Sequence, residues 1–341
     1  VDIATISERF KVFAHRECRG SSDLYEYLSE HIAMDEKLLA ICTKVQQGQP
    51  IPNLFFGAVH YLLLKGTEHG LKDFYESIVE SPKKTEQCFP YFKDFCQLNK
   101  DEIISVMKSR LVQTNEVRRC SYLYPSFSFV YEKVKKPLAL IEIGTSAGLQ
   151  LLWDKYSYSY ETDVVYGNNY STVHINGQVK GERLPYLPNN SPPVACRIGI
   201  DLHVSDLNSA EDYLWLKALI WPEHTERRDL LASAADYVKI NHINFVEGDG
   251  VALLPDILKG IPEDAVICVF HTHVANQLSK QDKVQLLQHI KNSGKERDIF
   301  HLYNNIQDGD LHLDYYIDGY EHTSTVGETD SHGRWFSWNL S

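Results

Sequence analysis

An acid and three small residues alternate along Glu142–Ile–Gly–Thr–Ser–Ala–Gly148, directly after the apolar run Leu138–Ile141. Small residues let a backbone approach a ligand closely, and a helix beginning at Leu149 offers the N–H groups of its first turn. That combination makes a nucleotide-type turn. A dinucleotide fingerprint needs glycine at positions 144, 146 and 149, where Gly144, Ser146 and Leu149 stand. A phosphate-cradling P-loop ends in Gly-Lys-Ser/Thr, and the chain reads Gly148–Leu149–Gln150. Both patterns fail.

His271 and His273 follow the apolar run Ala265–Phe270. A histidine titrating near neutrality can take a proton from a hydroxyl or an amine, so both are candidate catalytic residues. His-x-His also occurs in metal sites, but no third ligand stands out among the other histidines and acids, so no metal is assigned. Within Gln113–Arg119, Asn115, Glu116 and Arg119 offer an amide, a carboxylate and a guanidinium fork suited to a ligand carboxylate. These three are candidate substrate contacts at a domain junction, where polar groups need ligand or water as partner. His60, inside the apolar run Leu54–Leu64, reads as a hydrogen-bonded core histidine.

The elements that must position these groups can be read from hydrophobic periodicity. Leu138–Ile143, Arg197–Asp201, Ile243–Glu247 and Ala265–Phe270 are short apolar or alternating runs with helix-length material between them. Asp201 ends the second run and Asp249 follows the third. The pattern predicts an α/β fold with a Rossmann-like, mostly parallel sheet that binds ligands beyond the carboxyl ends of its strands. Asp201 lies roughly fifty residues past Gly148, whereas a ribose-binding acid usually follows the glycine turn by about 20. A Tyr-, Gly-, Asn- and Pro-rich insertion at about 156–195 accounts for the surplus. Asn176–Gly177 between β-forming residues signals a two-residue hairpin, so an inserted β-hairpin is expected there.

The first 120 residues are of a different kind. Leu24, Tyr27, Leu28, Ile32, Leu38, Leu39 and Cys42 recur close to the helical period, and Asn99 with Glu102 fits a capping box opening a helix through Leu111. An α-helical lid domain (1–120) is expected before an α/β domain (121–341), joined by a connection containing Tyr124–Pro125 and Lys136–Pro137. Trp215–Glu223 reads as an aromatic face packing the inserted region on the sheet. Asp298–Tyr303, Leu311–Ile317 and Arg334–Trp338 read as the remaining strands.

Composition narrows the function classes. Of 341 residues 43% are hydrophobic, enough for a substantial core, and the formal net charge of −12 opposes binding to nucleic-acid phosphates. The seven cysteines form no C-x-x-C pair, which suits a reducing compartment. Leu54–Leu64 is too short to span a bilayer, and the first residues show no signal-peptide pattern. A cytoplasmic protein acting on a small molecule, with no nucleic-acid or membrane partner, is the expectation; oligomeric state is left open.

The acid-x-Gly-x-Ser-x-Gly turn resembles the first motif of class I S-adenosylmethionine-dependent methyltransferases, with Ser146 replacing the commoner middle glycine. That resemblance implies S-adenosylmethionine as cofactor. Glu142, Gly144, Ser146 and Gly148 would shape its methionine side, Asp201 would hold the ribose hydroxyls, and Asp249 would lie by the adenine. It also implies that groups after the fourth strand, here His271 and His273, meet the methyl acceptor, and that an antiparallel strand belongs to the last pair. Gln49–Leu64, Val112–Arg119, Gly144–Tyr156, Gly199–Asp201 and Trp215–Glu223 further resemble an uncharacterised, mainly bacterial family with a methyltransferase-like C-terminal half. That family more often has Asn where Gln150 stands. Methyl transfer to a small molecule is therefore the leading expectation. The alternatives are a non-catalytic ligand-binding protein on the same fold and a hydrolytic enzyme using the His271/His273 region.

Overall fold

A computed structural model describes residues 1–341. From the N-terminus it forms helices α1 (Ile3–Phe13), α2 (Asp23–Ile32), α3 (Glu36–Cys42), α4 (Ile51–Lys65), α5 (Cys88–Leu98), α6 (Lys100–Ser109) and α7 (Cys120–Val134). The single apolar period read over residues 23–45 is broken at Asp35, whose carboxylate caps the N–H groups of Lys37 and Leu38 and starts a new helix. Asn99 precedes α6 without forming the expected capping box; its amide donates instead to the Phe95 carbonyl at the end of α5. Tyr124–Pro125 lies inside α7, not in a loose connection. The missing proline N–H leaves the Ser121 carbonyl without its helical donor, and the Tyr160 hydroxyl supplies one at 2.8 Å.

The chain continues through β1 (Leu138–Ile143), β2 (Ser157–Ser159), β3 (Tyr166–Gly167), β4 (His174–Asn176), β5 (Gln178–Lys180) and β6 (Val194–Asp201). Next come α8 (Ala210–Ala218), α9 (Thr225–Ile240), β7 (Asn244–Glu247), α10 (Gly250–Lys259), β8 (Val266–His271) and α11 (Lys280–Gly294). The last strands are β9 (Ile299–Tyr303), β10 (Leu311–Ile317), β11 (Tyr320–His322), β12 (Thr325–Gly327) and β13 (Trp335–Ser337). Two compact units result, residues 1–114 with 208–229 and residues 115–207 with 230–341. No helix is long and apolar enough to cross a membrane.

The first unit is helical and centred on aromatic rings: Tyr25 stacks on Phe56 at 4.1 Å, and Phe10 meets both Phe55 and Phe56 edge-on. Trp215 and Leu219 belong to this core, so the Trp215–Glu223 segment packs among helices and not on the sheet as expected. Gly57 of α4 permits this, since a Cβ there would lie 3.0 Å from Leu219 and 3.2 Å from Trp215. His60 is fully buried: its Nδ1–H donates to the Ala218 carbonyl at 2.9 Å, and the Ser77 hydroxyl donates to Nε2 at 2.7 Å.

The second unit is built on an eight-stranded mixed sheet of order β11-β10-β9-β8-β1-β6-β7, with β12 also paired to β10. From β7 to β9 all pairings are parallel; β10 is antiparallel to β9, β11 and β12. The fold is therefore α/β with a mostly parallel sheet. All six residues of β1 are buried because strands flank it on both sides. On one face Ile141 and Ile143 pack with Val269, Leu254 and Leu286 of β8, α10 and α11; on the other, Phe127 of α7 stacks on Trp153 and meets Phe270 edge-on.

The insertion does not contain the expected Asn176–Gly177 hairpin. β4 pairs in parallel with β2, while β5 pairs in parallel with β13 of the C-terminal segment. A type I′ turn needs positive φ at both central residues, and neither Asn176 nor Gly177 has it. Gly177 serves a close approach instead: a Cβ there would lie 2.9 Å from the Ser121 Cβ on α7. The antiparallel pair in this region is β2–β3. Arg334–Trp338 accordingly contributes to a separate two-stranded sheet with β5.

Candidate functional site

From β1 the chain passes to β6 on one side, whereas β8 lies on the other, so the topology switches between β1 and β8. Crevices at such points bind ligands in open α/β sheets. Glu142, Gly144, Ser146 and Gly148 lead into this point from β1, and Thr272 and His273 follow β8.

The turn after β1 is held in a left-handed conformation at Gly144 (φ 75°), Ser146 (φ 51°) and Gly148 (φ 76°). A side chain at Gly144 would collide with Val274, 2.1 Å from the Cβ position, so this glycine serves packing of the protein against itself. Most of the N–H groups read as available to a ligand are occupied. Those of Gly144 and Thr145 donate to the Ile200 carbonyl, that of Ser146 to Asp201 Oδ2 at 2.7 Å, and that of Gly148 to the Thr145 carbonyl. The Leu149 N–H donates to Asn115 Oδ1 at 2.9 Å, and the Asn115 amide donates to the Thr145 carbonyl at 3.1 Å. One asparagine thus clasps the turn at both ends.

The carboxylates differ in surroundings. Glu142 is buried and accepts the Thr145 hydroxyl at 2.7 Å. Burial pushes its carboxyl up to about 8 against the pull of that hydrogen bond; Asp201 adds to the rise and Arg119 opposes it. Asp201 is also raised by burial, opposed by N–H groups of Ser146 and His203. Asp249 is exposed and caps α10, its Oδ1 accepting from Val251 at 2.9 Å and Ala252 at 3.2 Å. The Gly248 N–H reaches the Asp201 carbonyl, which joins the ends of β7 and β6.

A chain of buried hydrogen bonds links the remaining candidates to the same point. The Gln150 amide donates to the Glu116 carbonyl at 3.2 Å, and its Oε1 accepts the Thr272 hydroxyl at 3.0 Å. Arg119 donates through Nη1 to Thr272 Oγ1 at 3.2 Å and through Nε to the Ser331 carbonyl at 2.8 Å. Asn115, Glu116 and Arg119 therefore stand in the switch-point network. Thr272, Gln150, Ser331 and His332 belong to it without having been singled out as site residues; the polar turn Asp330–Arg334 between short β runs was the available signal.

The two candidate histidines part company. His271 ends β8 and is fully buried, its Nε2 lying 3.2 Å from Nε2 of His301 on β9; Nδ1 of each ring has no partner. His273 sits in the turn with φ 62°, its backbone N–H donating to Asn304 Oδ1 at 2.7 Å and its Nδ1 accepting from Asn305 at 3.2 Å. Burial pushes both rings down to about 3, with Lys283 adding to the effect at His271 and Arg119 at His273. A ring held that low is a poor base at neutral pH.

All seven cysteines are free. A surface group in the helical unit, His15, Glu26 and Glu30, has metal-ligand spacing, but the Arg19 guanidinium already contacts both His15 and Glu26. No curated protein matches the chain, and no solved structure does. A family model matches residues 7–338, nearly the whole length, and the chain belongs to that family, described as an uncharacterized protein conserved in bacteria (DUF2332).

Proposed function

We propose that this protein binds S-adenosylmethionine at the turn after β1 and transfers its methyl group to a small-molecule acceptor. The observation that carries the reading is the use of the turn's N–H groups. With those of Gly144, Thr145, Ser146, Gly148 and Leu149 all donated within the protein, the turn has little left to cradle a diphosphate. An adenosyl ligand without phosphates suits it better than a dinucleotide or ATP.

The donor set fits that ligand. Asp201 accepts the Ser146 N–H through Oδ2 and the His203 N–H through Oδ1, and a carboxylate at this strand end is the acceptor that vicinal ribose hydroxyls require. Asp249 engages the α10 cap through Oδ1 alone, so its other oxygen can face the adenine side. Glu142, Gly144, Ser146 and Gly148 shape the methionine side, and the clasp by Asn115 keeps the turn in one conformation. When bound, the cofactor supplies an electrophilic methyl group; the protein's part is alignment of the acceptor and exclusion of water. A hydrolytic role for His271 or His273 has less support, because both rings are held neutral and weakly basic.

Thermal shift and calorimetry test this. S-adenosylmethionine and S-adenosylhomocysteine should raise the melting temperature, by a linkage of ~2.7 kcal/mol at one hundred times Kd, while NAD and ATP leave it unchanged. Asp201→Asn should weaken both sulfur nucleotides by about 1.5–3 kcal/mol if the ribose bond is charge-assisted. No heat and no shift from either compound at millimolar concentration would sink the reading.

A further inference from the structure

The turn Asp330–Arg334 is fastened to the segment that precedes α7. Arg119 Nε donates to the Ser331 carbonyl and Ser121 Oγ to the Gly333 carbonyl at 2.7 Å. Gly333 has φ 76°, and a Cβ there would lie 2.5 Å from the Arg118 carbonyl oxygen, so the two backbones touch. Asp330 braces the turn from within, accepting the His332 N–H at 3.1 Å and the Arg334 guanidinium at 2.9 and 2.8 Å. His332 is thereby set with Nδ1 3.6 Å from Oε2 of Glu116. The Glu116 side chain is only 4% exposed and the His332 side chain 37%, so a buried carboxylate backs an imidazole that still reaches the exterior. Glu116 also accepts the Arg118 N–H at 3.3 Å and, through its carbonyl, the amide of Gln150, which fixes it to Thr272 at the switch point.

We infer that His332, oriented by Glu116, is the general base of the methyl transfer proposed above. The inference rests on that reading and adds the substrate class: an acceptor whose attacking atom carries a proton to be shed, a hydroxyl or an amine, and not a carboxylate, which needs no base. The acceptor's lone pair forms the bond to the methyl carbon as the carbon–sulfur bond breaks, and the electron pair stays on sulfur. The acceptor's proton passes to Nε2 of His332, and the carboxylate of Glu116 stabilises the resulting imidazolium through Nδ1–H, as a base-orienting acid does. The 3.6 Å separation is longer than a hydrogen bond, and such pairs tighten when the reacting partners bind. Glu116 is a positioning residue in this arrangement. On its own turn His332 stands beside the Asp330–Arg334 pair, whose charges offset each other, and the nearby His273 is neutral.

The test is a pH titration of the His332 Cε1–H resonance by NMR in the full chain labelled at histidine, the signal assigned by its loss in His332→Gln. In Glu116→Gln the midpoint should fall by about one pH unit, as expected when an opposite charge is removed. S-adenosylmethionine and S-adenosylhomocysteine differ by the methyl and its positive charge, so the midpoint should lie lower with the former if His332 faces the sulfonium. Equal midpoints with both compounds bound overturn the inference and leave the cofactor reading standing. An unchanged midpoint in Glu116→Gln overturns the pairing. Failure of either nucleotide to bind by calorimetry overturns the cofactor reading and the inference with it.

Discussion

Two buried polar clusters stand at the ends of neighbouring strands and solve the same problem in different ways. After β1, Asn115 uses both ends of its amide, Thr145 serves Glu142, and Asp201 holds the Ser146 N–H. At the ends of β8 and β9, His271 and His301 face each other through Nε2, and both Nδ1 atoms are buried without partners. One neutral imidazole must donate and the other accept, so the accepting ring keeps a proton on Nδ1 with nothing to receive it. The first cluster fixes a conformation. The second carries a standing desolvation cost, because an unsatisfied buried group costs about 1–3 kcal/mol.

The largest effect should come from cutting the satisfied cluster. Asn115→Ala leaves the Thr145 carbonyl and the Leu149 N–H unpaired, and urea unfolding should show a loss of about 2–4 kcal/mol. Equal stability with wild type would mean that water replaces the clasp without loss.

Glu142 gives an effect that is smaller over any one pH unit and depends on pH. Its folded pKa of about 8 lies above the unfolded value near 4.5, so between these values the native state holds a proton that the unfolded chain has released. Stability from this group is fully present below about pH 4.5 and falls, by ~1.4 kcal/mol per pH unit at most, as pH rises toward 8. Glu142→Gln mimics the protonated acid and should remove this slope, leaving the variant more stable than wild type at pH 8. Melting curves from pH 5 to 8 check it, and a retained slope would place the buried proton elsewhere.

The smallest effect belongs to the histidine pair. Replacing both His271 and His301 by Leu should change stability by less than about 1 kcal/mol, since both partners of a poorly satisfied bond leave together. His271→Leu alone strands the other ring and should cost more. A double variant worse than the single would show that the pair is a satisfied unit after all.

The parallel core of the sheet was legible because Leu138–Ile143 and Ala265–Phe270 are apolar runs of strand length, set in a series with helix-length material between. The polar positions were legible as types and not as partners. Nothing in Asn115 announces that its amide clasps a turn thirty-odd residues on, since that pairing is set by tertiary packing. Asn176–Gly177 carried a genuine local preference, overridden because β4 and β5 each found a better partner elsewhere. Pro125 misled for a related reason: its penalty inside a helix is local, and the hydroxyl that relieves it arrives from Tyr160. His301 gave no signal at all, being one polar residue in an otherwise apolar strand.

Ser121 has a consequence for how the chain is made. Its carbonyl receives Tyr160, its Cβ lies under Gly177, and its hydroxyl reaches Gly333, a partner 212 positions away. Each contact closes a longer loop than the one before, and contacts of long sequence separation form late. During synthesis, α7 can emerge and receive the insertion, but the serine hydroxyl has no acceptor until Gly333 has left the ribosome. The order in which the ribosome delivers the chain thus becomes the order in which this serine is satisfied. A nascent chain stalled before Gly333 should stay open to proteolysis beside α7, however completely its parallel strands have paired.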